Sequence, residues 1–334
     1  MSPKIITVYG ATGNQGGSVV NSLLGNKSGN FKIRGITRNP DSDKAKALAA
    51  RGVEIVKADG LVKEQMVAAF KGTWAVFLNT NSPDPFKKIF HQPGGISESD
   101  HGKEVVDAAF EAGAEVLLYS GTSSPAKITN GAIVSEGMDE KYAIAEYAKS
   151  KGFKSAVNVG TGWYLENHFN PEFTGLLGGL PYTEDEEGYL TLSMPNWGGD
   201  NTIPFISIAD DYGDIVHGVL LNPEAYNGQF VQSISQLATP VELAAAVEKA
   251  TGKKSRFNEI KDWKTFETYG DPEVETVKNL FGFVNYTGGH YFGVPSDITL
   301  SRKLKADAAA AKGLGADDGK LTTVDQFAKK VLSA

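Results

Sequence analysis

At 334 residues, with 41% hydrophobic and 22% charged side chains and a formal charge of −7, the chain has the make-up of a soluble globular protein with a large core. The acidic balance argues against direct gripping of nucleic acid, which needs clustered Lys and Arg. Having no cysteine, the chain forms no disulfide or thiolate metal site, and its five scattered histidines make no HxH or HxxxH pair, so no metal is expected.

Lys4–Tyr9 enters a strand at once, so no secretory leader is expected. No stretch reaches the roughly 18 consecutive apolar residues of a membrane span, so the expected place is the cytoplasm, away from membranes. Strands are expected at Ile5–Tyr9, Lys32–Thr37, Val53–Lys57, Trp74–Asn79, Glu115–Ser120 and Lys154–Val159. Between them lie amphipathic segments near Gln15–Leu24, Asp43–Arg51, Lys63–Phe70, Ser99–Ala112 and Glu140–Lys151. Apolar strands alternating with helices predict an α/β fold, a doubly wound parallel Rossmann sheet covered on both faces. Beyond Val159 the rhythm breaks into a stretch rich in Gly, Pro and aromatics. Regular structure resumes with a helix at Ser207–Leu221, a strand at Gln229–Ile234 and helices near Pro240–Thr251, Trp263–Tyr269 and Pro272–Phe283. The Ala-rich run Lys305–Lys312 is a good helix former, and a last helix opens at Thr322-Thr323-Val324-Asp325. The division expected is a dinucleotide-binding domain over 1–159 and a smaller mixed C-terminal lobe over 160–334, with 207–234 packing back on the first.

Gly10-Ala11-Thr12-Gly13-Asn14-Gln15-Gly16 follows a strand and opens a helix. Gly10 allows a tight turn, Gly13 lets the backbone approach a pyrophosphate, and Gly16 lets the helix pack close to the sheet. The spacing is GxxGxxG, a variant of the dinucleotide fingerprint. The second strand ends in Thr37-Arg38-Asn39-Pro40, without the acid that usually holds an NAD ribose. Arg38 suits a 2′-phosphate instead, which points to NADP(H). Asp59-Gly60 stands where the adenine would lie, and Asn79-Thr80-Asn81 where the ribose and phosphates would; each is also ordinary turn chemistry.

These motifs, with Tyr119-Ser120-Gly121, Met138-Asp139-Glu140-Lys141, Tyr164-Leu165-Glu166-Asn167, Ser207-Ile208-Ala209-Asp210 and 223–229, resemble the NmrA-like family of atypical short-chain dehydrogenases. The resemblance spans nearly the whole chain. It implies a Rossmann domain with a small mixed lobe and a preference for NADP(H). Active short-chain dehydrogenases generally carry YxxxK, with Tyr as proton donor. Here the Tyr position is Gly137, and sensor-type relatives tend to have His there, so the chain departs from both. Reductases resembling isoflavone reductase rely on the Lys alone. Lys141 is then either the acid/base or only an anchor for the ribose. Ser120 matches the family position that faces the cofactor, and Tyr142, next to Lys141, points about 100° away.

On the substrate side, Trp163, Tyr164 and Asn167 follow the sixth strand. His290 and Tyr291, with Tyr286 and Phe292, occupy a Gly-containing loop, and Trp197 another. These aromatics form either a lid over an apolar ligand or the packing between lobes, and His290 is an alternative proton donor. The leading expectation is an NADP(H)-dependent reductase of a small apolar carbonyl, enone, quinone or imine substrate, with Lys141 and Ser120 at the reacting end. The rival is a nucleotide-ratio sensor whose output is a contact with a regulatory protein.

Overall fold

The computed structural model describes residues 2–80 and 95–333. Six strands fall where the alternating pattern put them: β1 (Lys4–Tyr9), β2 (Phe31–Thr37), β3 (Glu54–Lys57), β4 (Ala75–Leu78), β5 (Val116–Tyr119) and β6 (Ser155–Thr161). With β10 (Phe230–Ser233) they form one parallel sheet in the order β10-β6-β5-β4-β1-β2-β3. The order reverses between β1 and β4, which pair directly, so a crevice opens at their carboxyl ends.

Alternation along each strand sends side chains to opposite faces. Ala75 and Phe77 of β4 join one cluster and Val76 and Leu78 the other. The first face is covered by α1 (Asn14–Leu24), α7 (Gly213–Leu221) and α10 (Thr299–Ala311) through Val19, Val20, Val216 and Leu304. The second is covered by α3 (Lys63–Phe70), α4 (Glu98–Glu111) and α6 (Glu136–Ser150) through Phe70, Val105 and Ile144. The α2 helix (Asp43–Ala50) and the short α5 (Pro125–Ile128) complete this half.

Some elements differ from expectation. The α6 helix starts at Glu136, four residues early, so Gly137 lies within its first turn. Asp139 explains this: its carboxylate accepts from the Ser135 amide (3.0 Å), the Ser124 hydroxyl (2.5 Å) and the Ala126 amide (3.0 Å), tying the preceding loop to the helix start. The 207–221 segment begins as a wide turn over Ile208–Tyr212 and becomes regular helix only at Gly213. There a Cβ would stand 2.1 Å from the Ser18 carbonyl of α1, so only glycine permits the approach.

The rest of the chain builds a third core from Trp163, Phe169, Leu192, Trp197, Phe205, Phe281 and Phe327. Its frame is a small mixed sheet, β11 (Gln236–Ala238), β9 (Ile203–Ile206) and β7 (Trp163–Tyr164), beside a parallel pair, β8 (Leu190–Pro195) with β12 (Ser255–Ile260). Around it lie α8 (Pro240–Thr251), α9 (Pro272–Tyr286) and α11 (Val324–Leu332). Thr239 with Glu242 and Thr323 with Gln326 make reciprocal caps at the starts of α8 and α11. The helix expected over Trp263–Tyr269 is a correction: only the turn Trp263–Thr265 forms, capped by Asp262.

Candidate functional site

The crevice is built first by glycine. Gly10 has φ +75°, a left-handed turn that side chains resist, and the Gly13 amide donates to its carbonyl at 2.9 Å. A Cβ on Gly16 would sit 2.2 Å from that same carbonyl oxygen, so α1 approaches the loop as closely as the chain allows. The cap residue of α1, Gly13, offers no side chain to the first-turn amides, and Gly13 and Asn14 are exposed, with Thr12 half-buried. Unfilled N–H groups at a helix start, behind a turn without side-chain bulk, fit a dinucleotide pyrophosphate. Gln15 is buried, and its amide nitrogen donates to the Tyr164 hydroxyl while its oxygen meets no hydrogen-bond partner among the described residues.

Arg38 stands exposed just past β2. Asp59 makes a turn, its backbone amide donating to Gln65 at 2.9 Å and its carboxylate accepting from the Leu61 amide at 3.0 Å. Gly60 packs so tightly that a Cβ would fall 2.1 Å from the Tyr9 hydroxyl. The Asn79 carbonyl lies 3.9 Å from where a Gly10 Cβ would stand, which brings the end of β4 against the glycine turn. Asn81 lies outside the described residues.

Thr80 is a correction. The segment was expected along the ribose and phosphates, but the Thr80 hydroxyl turns inward: it donates to Glu98 at 2.5 Å and lies 2.7 Å from the Tyr119 hydroxyl. Glu98, the first residue of α4, is 1% exposed, and a buried carboxylate needs donors. Lys141 supplies the countercharge, its Nζ meeting Glu98 and donating to the Thr80 carbonyl at 2.8 Å. About a quarter of the Lys141 side chain (26%) remains exposed above this buried acid. Glu140, beside it on α6, accepts from the Glu98 and Ser99 amides; burial, then repulsion from Glu98, raises its pKa.

Sequence reasoning missed Glu98 because no motif marks it: α4 and α6 meet only in the fold. Tyr119 is 1% exposed, and burial pushes its phenol well up. Ser120 is buried at the carboxyl end of β5 and hydrogen-bonds Tyr212, whose phenol burial also raises. Tyr142 accepts from Lys127 Nζ at 2.6 Å. A Cβ on Gly137 would meet nothing within 4 Å among the described residues.

On the substrate side, Tyr164 and Asn167 are half-buried at the rim beyond β6, and burial raises the Tyr164 phenol. Trp163 and Tyr291 are corrections. Trp163 is 6% exposed, donates to His168 at 2.7 Å and packs edge-on against Trp197 with ring centroids 5.5 Å apart. Tyr291 is 9% exposed and stacks on Trp197 at 6.0 Å. These rings are core of the small lobe, not lid, because stacking on one another removes more apolar surface from water than facing a crevice. The loop carrying half-buried His290 presses on α5, where a Cβ on Gly293 would lie 2.3 Å from Ile128. Among the described residues no helix is long and apolar enough to cross a membrane.

The model of the NmrA-like family matches residues 2–328. The chain is 47% identical over 315 residues to the NmrA-like family domain-containing oxidoreductase FrzB of a Cladobotryum species, covering 92% of each. NmrA, a negative transcriptional regulator solved with NADP, superposes with a TM-score of 0.71 at 21% identity, over 100% of this chain and 96% of that one. Triphenylmethane reductase of a Citrobacter species, solved with NADP(H), does so at 0.71 and 19%, over 99% and 100%. The two solved structures share the fold with this chain.

Proposed function

Because this chain belongs to the NmrA-like family, we propose that it is an NADP(H)-dependent reductase of a small, largely apolar carbonyl, enone, quinone or imine. The observation that carries the reading is Lys141: a lysine whose side chain is partly exposed and whose ammonium is anchored to Glu98 and the Thr80 carbonyl, at the strand ends that adjoin the glycine turn. Support also comes from a relative named as an oxidoreductase at 47% identity. Gly10, Thr12, Gly13, Asn14 and Gly16 would hold the pyrophosphate of NADP(H), with Gln15 at the edge of the cradle and Arg38 on the 2′-phosphate. When bound, the nicotinamide supplies the hydride. Lys141 Nζ then donates a proton to the oxygen or nitrogen that gains charge, and Ser120 orients that atom. Tyr164 and Asn167 would contact the substrate.

The test pairs calorimetric NADPH titration with NADPH oxidation across quinones, enones and imines. Wild type is expected to oxidise NADPH with at least one class. Lys141→Met is expected to keep NADPH affinity within about ten-fold and to lose roughly 10²–10⁴ in turnover. Full activity in that variant removes Lys141 from the mechanism. Tight NADPH binding with no turnover on any compound turns the reading toward a sensor that works through a partner.

A further inference from the structure

Glu98 has no place in the fingerprint, yet its buried carboxylate lies against the proposed acid/base. It is 1% exposed, and Lys141 Nζ lies against its Oε1, with the Thr80 hydroxyl donating to that same oxygen at 2.5 Å. Thr80 extends the chain to the Tyr119 hydroxyl, 2.7 Å further on. The chain of contacts therefore runs from a phenol in the sheet core, through a hydroxyl and a carboxylate, to the ammonium of Lys141, the one member whose side chain is partly exposed. Each link inward is more buried than the lysine. The arrangement has the logic of an orienting acid behind a reacting base: the buried member fixes where the exposed member points.

Geometry gives Glu98 a firm seat of its own. It opens α4, where the cap Ser97 accepts from the Asp100 amide at 3.0 Å, and a helix start favours negative charge. Glu140 grips the Glu98 and Ser99 amides from α6, the same helix that carries Lys141. Two helices are thus clamped together at one point, and the clamp ends in the Lys141 ammonium.

We infer that Glu98 is the positioning residue for Lys141, holding its Nζ at the Thr80 carbonyl so that the ammonium faces the nicotinamide end of the crevice. This rests on the role proposed for Lys141 above. Its consequence is thermodynamic coupling: the Glu98 carboxylate acts on the cofactor and substrate through Lys141.

The experiment is a double-mutant cycle with Glu98→Gln and Lys141→Met, read by NADPH titration and by the split between kcat and KM. Glu98→Gln keeps the shape but removes the charge. In the wild-type background it is expected to weaken NADPH about three- to ten-fold and to cut kcat about ten- to a hundred-fold, with substrate KM within about two-fold. In the Lys141→Met background the same change is expected to alter NADPH affinity by less than about two-fold, because the group it acts through is gone. Equal losses in both backgrounds overturn the inference, since a purely structural role adds independently. So does a Glu98→Gln protein that binds and turns over like wild type. If Glu98→Gln fails to fold, Glu98→Asp, which withdraws the carboxylate by one methylene, is expected to give intermediate losses that again vanish without Lys141. Wild-type affinity and turnover in Glu98→Asp overturn the inference. A wild type that binds NADPH but oxidises it with no substrate sinks the reductase reading alone; the affinity cycle still decides the role of Glu98.

Discussion

Replacing Gly16 with alanine adds a methyl group at a point 2.2 Å from the Gly10 carbonyl oxygen and 2.7 Å from its carbon. An ordinary carbon–oxygen contact is about 3.3 Å, so the overlap is about 1 Å against backbone, which cannot rotate away. The helix cannot recoil either. On its far side Ser18 touches Gly213 so closely that a Cβ there would lie 2.1 Å from the Ser18 carbonyl, and Val19, Val20 and Leu23 are buried. Overpacking of this kind costs about 1–3 kcal/mol, of which alanine's better helix propensity returns at most about 1. A net loss of up to about 2 kcal/mol is expected. The neighbouring Gly17 is the internal control. Its Cβ would stand 3.6 Å from the Ala11 carbonyl, ordinary contact, so Gly17→Ala is expected to stabilise by up to about 1 kcal/mol. Urea unfolding followed by tryptophan fluorescence separates the two. Because any recoil of α1 also widens the turn around Gly10 and Gly13, Gly16→Ala should weaken NADPH at least ten-fold and Gly17→Ala should not. Equal urea midpoints for the two variants would show that the loop–helix contact is not what holds this corner.

Three further outcomes are expected. Lys305→Met leaves Asp211, fully buried, without the ammonium that pairs with it, and should cost about 3–5 kcal/mol in urea unfolding, with part regained on adding Asp211→Asn; a loss below about 1 kcal/mol would refute the pairing. Arg38→Ala should weaken NADPH about ten- to a hundred-fold and leave NADH nearly unchanged in parallel titrations, and equal wild-type affinity for both cofactors would refute the 2′-phosphate role. Burial holds His168 down at about 4, whereas unfolded it takes up a proton at about 6.5; the unfolded state therefore binds more protons in that window. Stability should fall as pH drops from about 6.5 to 4, by on the order of 3 kcal/mol from this residue, and His168→Gln should flatten the slope in urea titrations across that range.

What the sequence determined by itself was everything with a short period or a local cause. Buried parallel strands read as apolar runs, and the helices between them carry a 3.6-residue stripe, so β1 through β6 and their covering helices were legible. The glycine turn was legible because Gly10 needs a left-handed conformation and Gly16 a missing Cβ, both properties of single residues. The capped start of α11 was legible in Thr322-Thr323-Val324-Asp325 for the same reason. The tertiary structure alone decided the rest. β8 and β12 pair in register Leu190 to Ser255 across 65 residues, and β9 is four residues long, so neither carries enough local preference to declare itself. Trp163, Trp197 and Tyr291 looked alike in sequence whether lid or core, because an aromatic ring suits both, and only their stacking chose core. Glu98 was invisible for a different reason. A carboxylate one residue past a helix cap is ordinary; packing α4 on α6 is what buries it and delivers Lys141 to it.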